Sequence, residues 1–199
     1  EGKLPTWFST AKIVYPPKLN LEQTSSEITA AYKASLVSGN TLADMTGGFG
    51  IDSYFFSKKF KTVFHFELNR ELSQMAEHNF NILEVQNVQF INGDGLENVC
   101  NNYYDVIFSD PSRRNDSKGK VFFLNDCQPN IPQNIYSILA HCNTFLLKTS
   151  PMLDISVGIN ELHGVSEIHV VAVENEVAPA ERTEDKLRSQ CELSCPGPP

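Results

Sequence analysis

Short apolar runs alternate with amphipathic stretches from about residue 41 to residue 174. Runs rich in β-branched and aromatic residues at 41–46, 62–67, 87–91, 104–109, 142–149 and 167–174 read as strands. Between them, apolar positions recur with helical spacing at 51–58, 69–84, 95–101, 129–140 and 153–162. Leu21 to Leu36 has the same helical spacing, with Ser25-Ser26-Glu27 as a cap-like string inside it. Strict alternation of strand and helix predicts an α/β domain with a doubly wound, mostly parallel sheet. Residues 1–20, with Pro5, Pro16 and Pro17, read as an extended lead-in, and 21–177 as the domain itself. After Val177 the pattern breaks. Residues 178–199 read as mostly disordered or foreign to the domain, which would leave the sheet one strand short.

The predicted strand ends carry the chemistry. Leu42-Ala-Asp-Met-Thr-Gly-Gly-Phe-Gly-Ile-Asp-Ser53 passes from a strand through three glycines, Gly47, Gly48 and Gly50, into a helix start. Glycines there let backbone approach a ligand, and a helix start offers free N–H groups. A phosphate-cradling loop would need Lys-Ser or Lys-Thr after Gly50, which is absent. The dinucleotide fingerprint fits only in part, because its third glycine position is Ser53. Asp-x-x-x-Gly-x-Gly fits without a gap at Asp44, Gly48 and Gly50. Glu67 ends the next strand about 20 residues on, where a carboxylate can accept from both hydroxyls of a ribose. Asp94 and Asp110 end the following two, so four acids fall at the carboxyl ends of four successive strands, the edge where open α/β sheets bind ligands.

These motifs, with Tyr15-Pro-Pro, Glu22-Gln-Thr-Ser-Ser-Glu27, Asp110-Pro-Ser-Arg-Arg114 and Lys148-Thr-Ser-Pro-Met-Leu-Asp154, resemble the class I S-adenosylmethionine-dependent methyltransferases. The resemblance covers residues 13–175 and is nearest to an RNA-methyltransferase-like group whose full-length members carry a THUMP-like domain. It implies a Rossmann-like sheet and S-adenosylmethionine as cofactor. It places Asp44, Thr46, Gly47, Gly48, Gly50, Glu67, Asp94 and Asp110 with the cofactor, Asp94 toward the adenine amino group. The partners it implies are the cofactor and an RNA substrate, a tRNA or rRNA base, with no metal.

Composition narrows this little. Hydrophobic residues make up 41% of the 199 and charged ones 20%, as in an ordinary globular domain. No apolar run approaches membrane-span length, no signal segment opens the chain, and the missing initiator Met suggests a fragment or processed chain. Five cysteines without metal-ligand spacing point to reduced thiols and a cytoplasmic setting. A net charge of −8 is awkward for RNA, so neighbouring domains would have to supply much of any affinity for it.

The acceptor is less legible. Asp110-Pro111 begins a string that amine methyltransferases continue with an aromatic residue, absent here; Phe122 and Phe123 are candidates further on. Asp-Pro-x-Arg also resembles the uracil-C5 enzymes, but Thr149 stands where their attacking cysteine would be. Asp110 and Arg113 are the candidate catalytic residues. Arg113 and Arg114 suit a substrate phosphate or an acceptor base as well as they suit a surface pair with Asp116. Lys148 either faces the crevice or snorkels outward, and His65 reads as strand packing. Two rival functions stand beside methyl transfer: an NAD-type oxidoreductase, and a non-catalytic module that keeps the fold.

Overall fold

A computed structural model describes residues 2–113, 123–150, 153–162, 164–173 and 188–196. Seven strands form the main sheet: β1 (Thr41–Asp44), β2 (Thr62–Glu67), β3 (Val88–Asn92), β4 (Tyr104–Ser109), β7 (Cys142–Thr149), β8 (Glu167–Val173) and β9 (Arg188–Pro196). A two-residue pair, β5 (Ser112–Arg113) and β6 (Cys127–Gln128), makes a second, antiparallel sheet. The order of the main sheet is β3-β2-β1-β4-β7-β9-β8. The first five strands are mutually parallel, while β9 runs antiparallel to both β7 and β8. Strand order reverses between β1 and β4, which opens a crevice at their carboxyl ends.

Period-2 alternation buries both faces of the sheet. Leu42, Val63, Val106, Phe108 and Leu146 pack with Ala34, Phe56 and Phe60, from α3 (Glu27–Leu36) and from α4 (Ile51–Ser57) and the turn after it. Their neighbours Ala43, Phe66, Ile107, Phe145 and Leu147 face a second core. That core is completed by Val99 of α6 (Gly95–Val99) and by Ile131, Ile135 and Ile138 of α7 (Ile131–Leu139). Near one sheet edge Phe80 of α5 (Arg70–Ile82) meets Phe90 of β3 edge-on, and α8 (Ile155–Glu161) precedes β8.

Three expectations change. Residues 1–20 are not merely extended: they hold α1 (Pro5–Ser9) and the start of α2 (Lys18–Gln23), and Leu4 and Trp7 are buried against Phe49 and Ile51 of the glycine loop. The single helix expected over 21–36 breaks at Thr24-Ser25, because Ser26 caps α3 by accepting the Thr29 N–H and Ser25 is drawn into a buried ion pair described below. Finally, part of the stretch expected to be disordered or foreign to the domain, residues 188–196, is placed in the sheet. They form β9, whose backbone pairs with Thr144–Thr149 on one side and Glu167–Val173 on the other, so the last strand is present. Residues 178–187 lie outside the described residues.

Candidate cofactor cleft

The glycine loop is tied to the strands around it. Beyond β1, Met45 N–H donates to Phe108 O at 2.9 Å and Gly47 N–H to Phe66 O at 2.8 Å. Thr46 Oγ1 accepts the Asp110 N–H at 2.7 Å, and Gly48 N–H donates to Glu67 Oε2 at 2.9 Å. The loop is thereby bonded to the ends of β2 and β4. Gly50 caps α4 with φ of +87°, a left-handed conformation that disfavours any side chain. Gly47 is required for a different reason: a Cβ there would overlap the imidazole of His65 beneath it.

Under the loop lies a buried polar chain. Asp44 accepts from Thr46 N–H at 3.1 Å and pairs with Ser53 Oγ at 2.6 Å, and Ser53 Oγ lies 3.0 Å from His65 Nδ1. Burial pushes Asp44 up to about 7 and His65 down to about 3. Asp44 is fully buried and lines no part of the cleft. The sequence reading puts Asp44 with the cofactor; in the structure its side chain supports the loop from below.

The other predicted positions converge. A cleft of about 830 Å³ is lined by Thr46, Gly47, Gly48, Gly50, Glu67, Asp94 and Asp110 together. Glu67 accepts the Asn69 N–H at 2.7 Å as well as Gly48 N–H, so both its oxygens are oriented. Asp94 caps α6 through its Oδ1, accepting from Leu96 N–H at 2.8 Å. Asp110 Oδ2 accepts from Lys148 Nζ at 2.5 Å, and both side chains border the cleft. Lys148 therefore faces the crevice and does not snorkel outward. Arg113 lies on β5, three residues beyond Asp110, with its side chain outside the described residues; Arg114, Asp116 and Phe122 lie outside them altogether.

Part of the wall went unassigned in the sequence. Asn20, Gln23, Thr24 and Ser25, from α2 and the turn after it, line the cleft with Asp52 of α4. The Glu22-Gln-Thr-Ser-Ser-Glu27 string was a visible signal for this segment, though not for its role. Carboxylates at Glu67 and Asp94 are acceptors matched to the hydroxyl and amine donors of an adenosine, so the donor–acceptor chemistry of the cleft fits S-adenosylmethionine. Among the described residues no three His, Cys, Asp or Glu side chains converge on a metal position, and no helix is long and apolar enough to cross a membrane.

No protein-family model and no curated sequence matches the chain. Solved structures do. A protein assigned as a methyltransferase in Porphyromonas gingivalis W83 aligns with TM-score 0.82 and 30% identity over 98% of this chain, which spans only 46% of that chain's length. A protein assigned as an RNA methyltransferase in Pyrococcus horikoshii aligns with TM-score 0.62 at 15% identity, over 94% of this chain and 93% of that one. One assigned as a methyltransferase in Streptococcus mutans, solved in complex with SAH, aligns with TM-score 0.54 at 14% identity, over 87% and 99%. At such identities the last two establish the fold alone. The fold is the Rossmann-like one of the class I methyltransferases.

Proposed function

We propose that the chain is the catalytic domain of an S-adenosylmethionine-dependent methyltransferase whose acceptor is a base of RNA. One observation carries the cofactor part: Thr46, the three loop glycines, Glu67, Asp94 and Asp110, read from separate motifs, line a single cleft at the strand-order reversal. Glu67 takes the ribose hydroxyls and Asp94 the adenine amino group. The loop glycines bring backbone close to the ligand between them. When bound, S-adenosylmethionine supplies an electrophilic methyl group on a sulfonium sulfur.

The chain's part is to hold and align an acceptor. Asp110, with Oδ2 engaged by Lys148, keeps Oδ1 for an acceptor N–H. Pro111 stiffens the backbone that carries it. The RNA part rests on Asp110-Pro111-Ser112-Arg113 with Arg114 beside it, since such arginines can hold phosphate or an acceptor base. With a net charge of −8, RNA affinity would come largely from parts of a longer protein.

The test pairs binding with turnover. Calorimetry with S-adenosylmethionine, S-adenosylhomocysteine and NAD is expected to show binding of the first two only. Tritium transfer to total RNA, with a protein extended to the length of its Porphyromonas gingivalis counterpart, is expected to show activity. Asp110→Ala should lower turnover about a hundredfold or more while leaving cofactor affinity nearly intact. NAD binding alone would replace the reading, and normal turnover in the variant would remove Asp110 from the site.

A further inference from the structure

Asp44 is turned under the loop, and the acid that reaches the cleft from the same strand–loop–helix unit is Asp52. Its side chain keeps 12% exposure and lines the cleft beside Gly50 and Ile51. Behind it stands Lys33, whose side chain is fully buried. Lys33 Nζ lies 2.5 Å from Asp52 Oδ1 and donates to Ser25 Oγ at 2.6 Å; Ser25 Oγ donates to Asp52 Oδ2 at 2.9 Å. The ammonium also lies 5.1 Å from the centre of the Phe108 ring. The triangle, a lysine paired with a carboxylate that also accepts from a serine, joins α3, the turn before it and α4.

The remaining capacity of the triangle has one sign. Lysine only donates, and the single hydroxyl proton of Ser25 is committed to Asp52. What is left toward the cleft is lone-pair capacity on a carboxylate, which has about four acceptor sites in all. The complementary ligand group is one that donates hydrogen bonds and needs no acceptor in return, as an ammonium does. Glu67 and Asp94 already account for the adenosine end of a cofactor in this cleft, and Asp110 with Lys148 for the transfer point.

We propose that Asp52 receives the α-ammonium of the cofactor's methionine moiety, and that Lys33 and Ser25 are positioning residues that fix its carboxylate. This rests on the cofactor reading above. It makes the N-terminal segment part of the binding site, because Ser25 and Lys33 both come from it. The side-chain amides of Asn20 and Gln23, on the same wall, are donors suited to the α-carboxylate.

Calorimetry separates the subsite from the rest of the cleft. S-adenosylhomocysteine carries the amino-acid end; 5′-methylthioadenosine keeps the adenosine and thioether and lacks that end. The unmutated chain should prefer S-adenosylhomocysteine by about tenfold or more. Asp52→Asn should weaken S-adenosylhomocysteine about ten- to a hundredfold and leave methylthioadenosine unchanged. Because Asp52→Asn strands a buried lysine charge, Lys33→Met/Asp52→Asn, which removes both charges, is measured beside it with a thermal melt on each. The double variant should show the same selective loss. A folded variant that keeps the original preference overturns the proposal, as does equal loss of both ligands, which would mark damage to the loop. If the unmutated chain binds both ligands equally, the subsite fails and the cofactor reading stands. If it binds neither, the cofactor reading fails and takes the subsite with it.

Discussion

Both carboxylate oxygens of Glu67 already accept a backbone N–H, from Gly48 and from Asn69, and each keeps a further lone pair for a ribose hydroxyl. Glu67→Ala is therefore expected to act twice. Loss of a charge-assisted contact should weaken S-adenosylhomocysteine by about 1.5–3 kcal/mol, and the two released amides should lower the melting temperature. Calorimetry and melting together check this; full affinity in a folded variant would take Glu67 off the ligand. Asp44 and His65 make a separate pH prediction. From ordinary values of 3.8 and 6.5, burial moves them to about 7 and about 3. Between about pH 4 and 6.5 the folded state holds a proton on Asp44 that the unfolded chain has lost, while the unfolded chain holds one on His65 that the fold excludes. The Asp44 contribution to stability is lost as pH rises toward 7, and the His65 contribution as pH falls from 6.5 toward 3. The two slopes oppose each other in that window. Asp44→Asn removes the first, so its stability should climb with pH there by up to about 1.4 kcal/mol per unit. Urea midpoints from pH 4.5 to 6.5 read the slope; a flat profile in the variant would contradict the assignment.

At the scale of elements, the glycine loop and β2 are matched in shape as well as in hydrogen bonding. Gly47 lies against the imidazole of His65, so Gly47→Ala should push loop and strand apart. Overpacking of this kind costs about 1–3 kcal/mol and should also reduce cofactor affinity. Adding His65→Ala should return much of the lost stability, since the second change makes the room that the first one needs. A double-mutant cycle by chemical denaturation measures the coupling, and additive effects would show that the contact does not decide the loop's position. The break between α2 and α3 has the same kind of cause. Helical spacing runs through Leu21–Leu36, yet Ser25 is held by Lys33 and Asp52, two residues that a periodicity cannot bring together.

For the whole molecule, the decisive element is β9. Inserted between β7 and β8, it covers the backbone edge of β7 from Thr144 to Thr149, the strand that delivers Lys148 to the cleft. Removing residues 188–199 would leave that edge unpaired and strand β8 without a neighbour. The truncated chain is expected to aggregate or unfold without cooperativity, and to lose cofactor binding with the geometry of Lys148. Size-exclusion chromatography and a melting curve test it; a monomeric, cooperatively folding truncation would mean that the parallel strands suffice. The one local signal for β9 is the alternation Cys191-Glu-Leu-Ser-Cys195, which stands between an interrupted pattern and a proline-rich end.

By itself the sequence determined the strand–loop–helix unit at 42–53, the five parallel strands and the acids at their ends. Period-2 and period-3.6 patterns, glycines and strand-end polar residues are local signals; the order of the strands, and the antiparallel pairing of β8 with β9, are not among them. Only the tertiary structure decided which acids are exposed to a ligand. Asp44 and Asp52 sit on one short segment, yet Ser53 and His65 draw the first beneath the loop while Lys33 and Ser25 hold the second on the cleft wall. Lys148 likewise found its direction through Asp110, a residue from another strand. The reason is the same in each case. A buried or half-buried polar group is stable only beside its partner, and here those partners come from other elements of the fold.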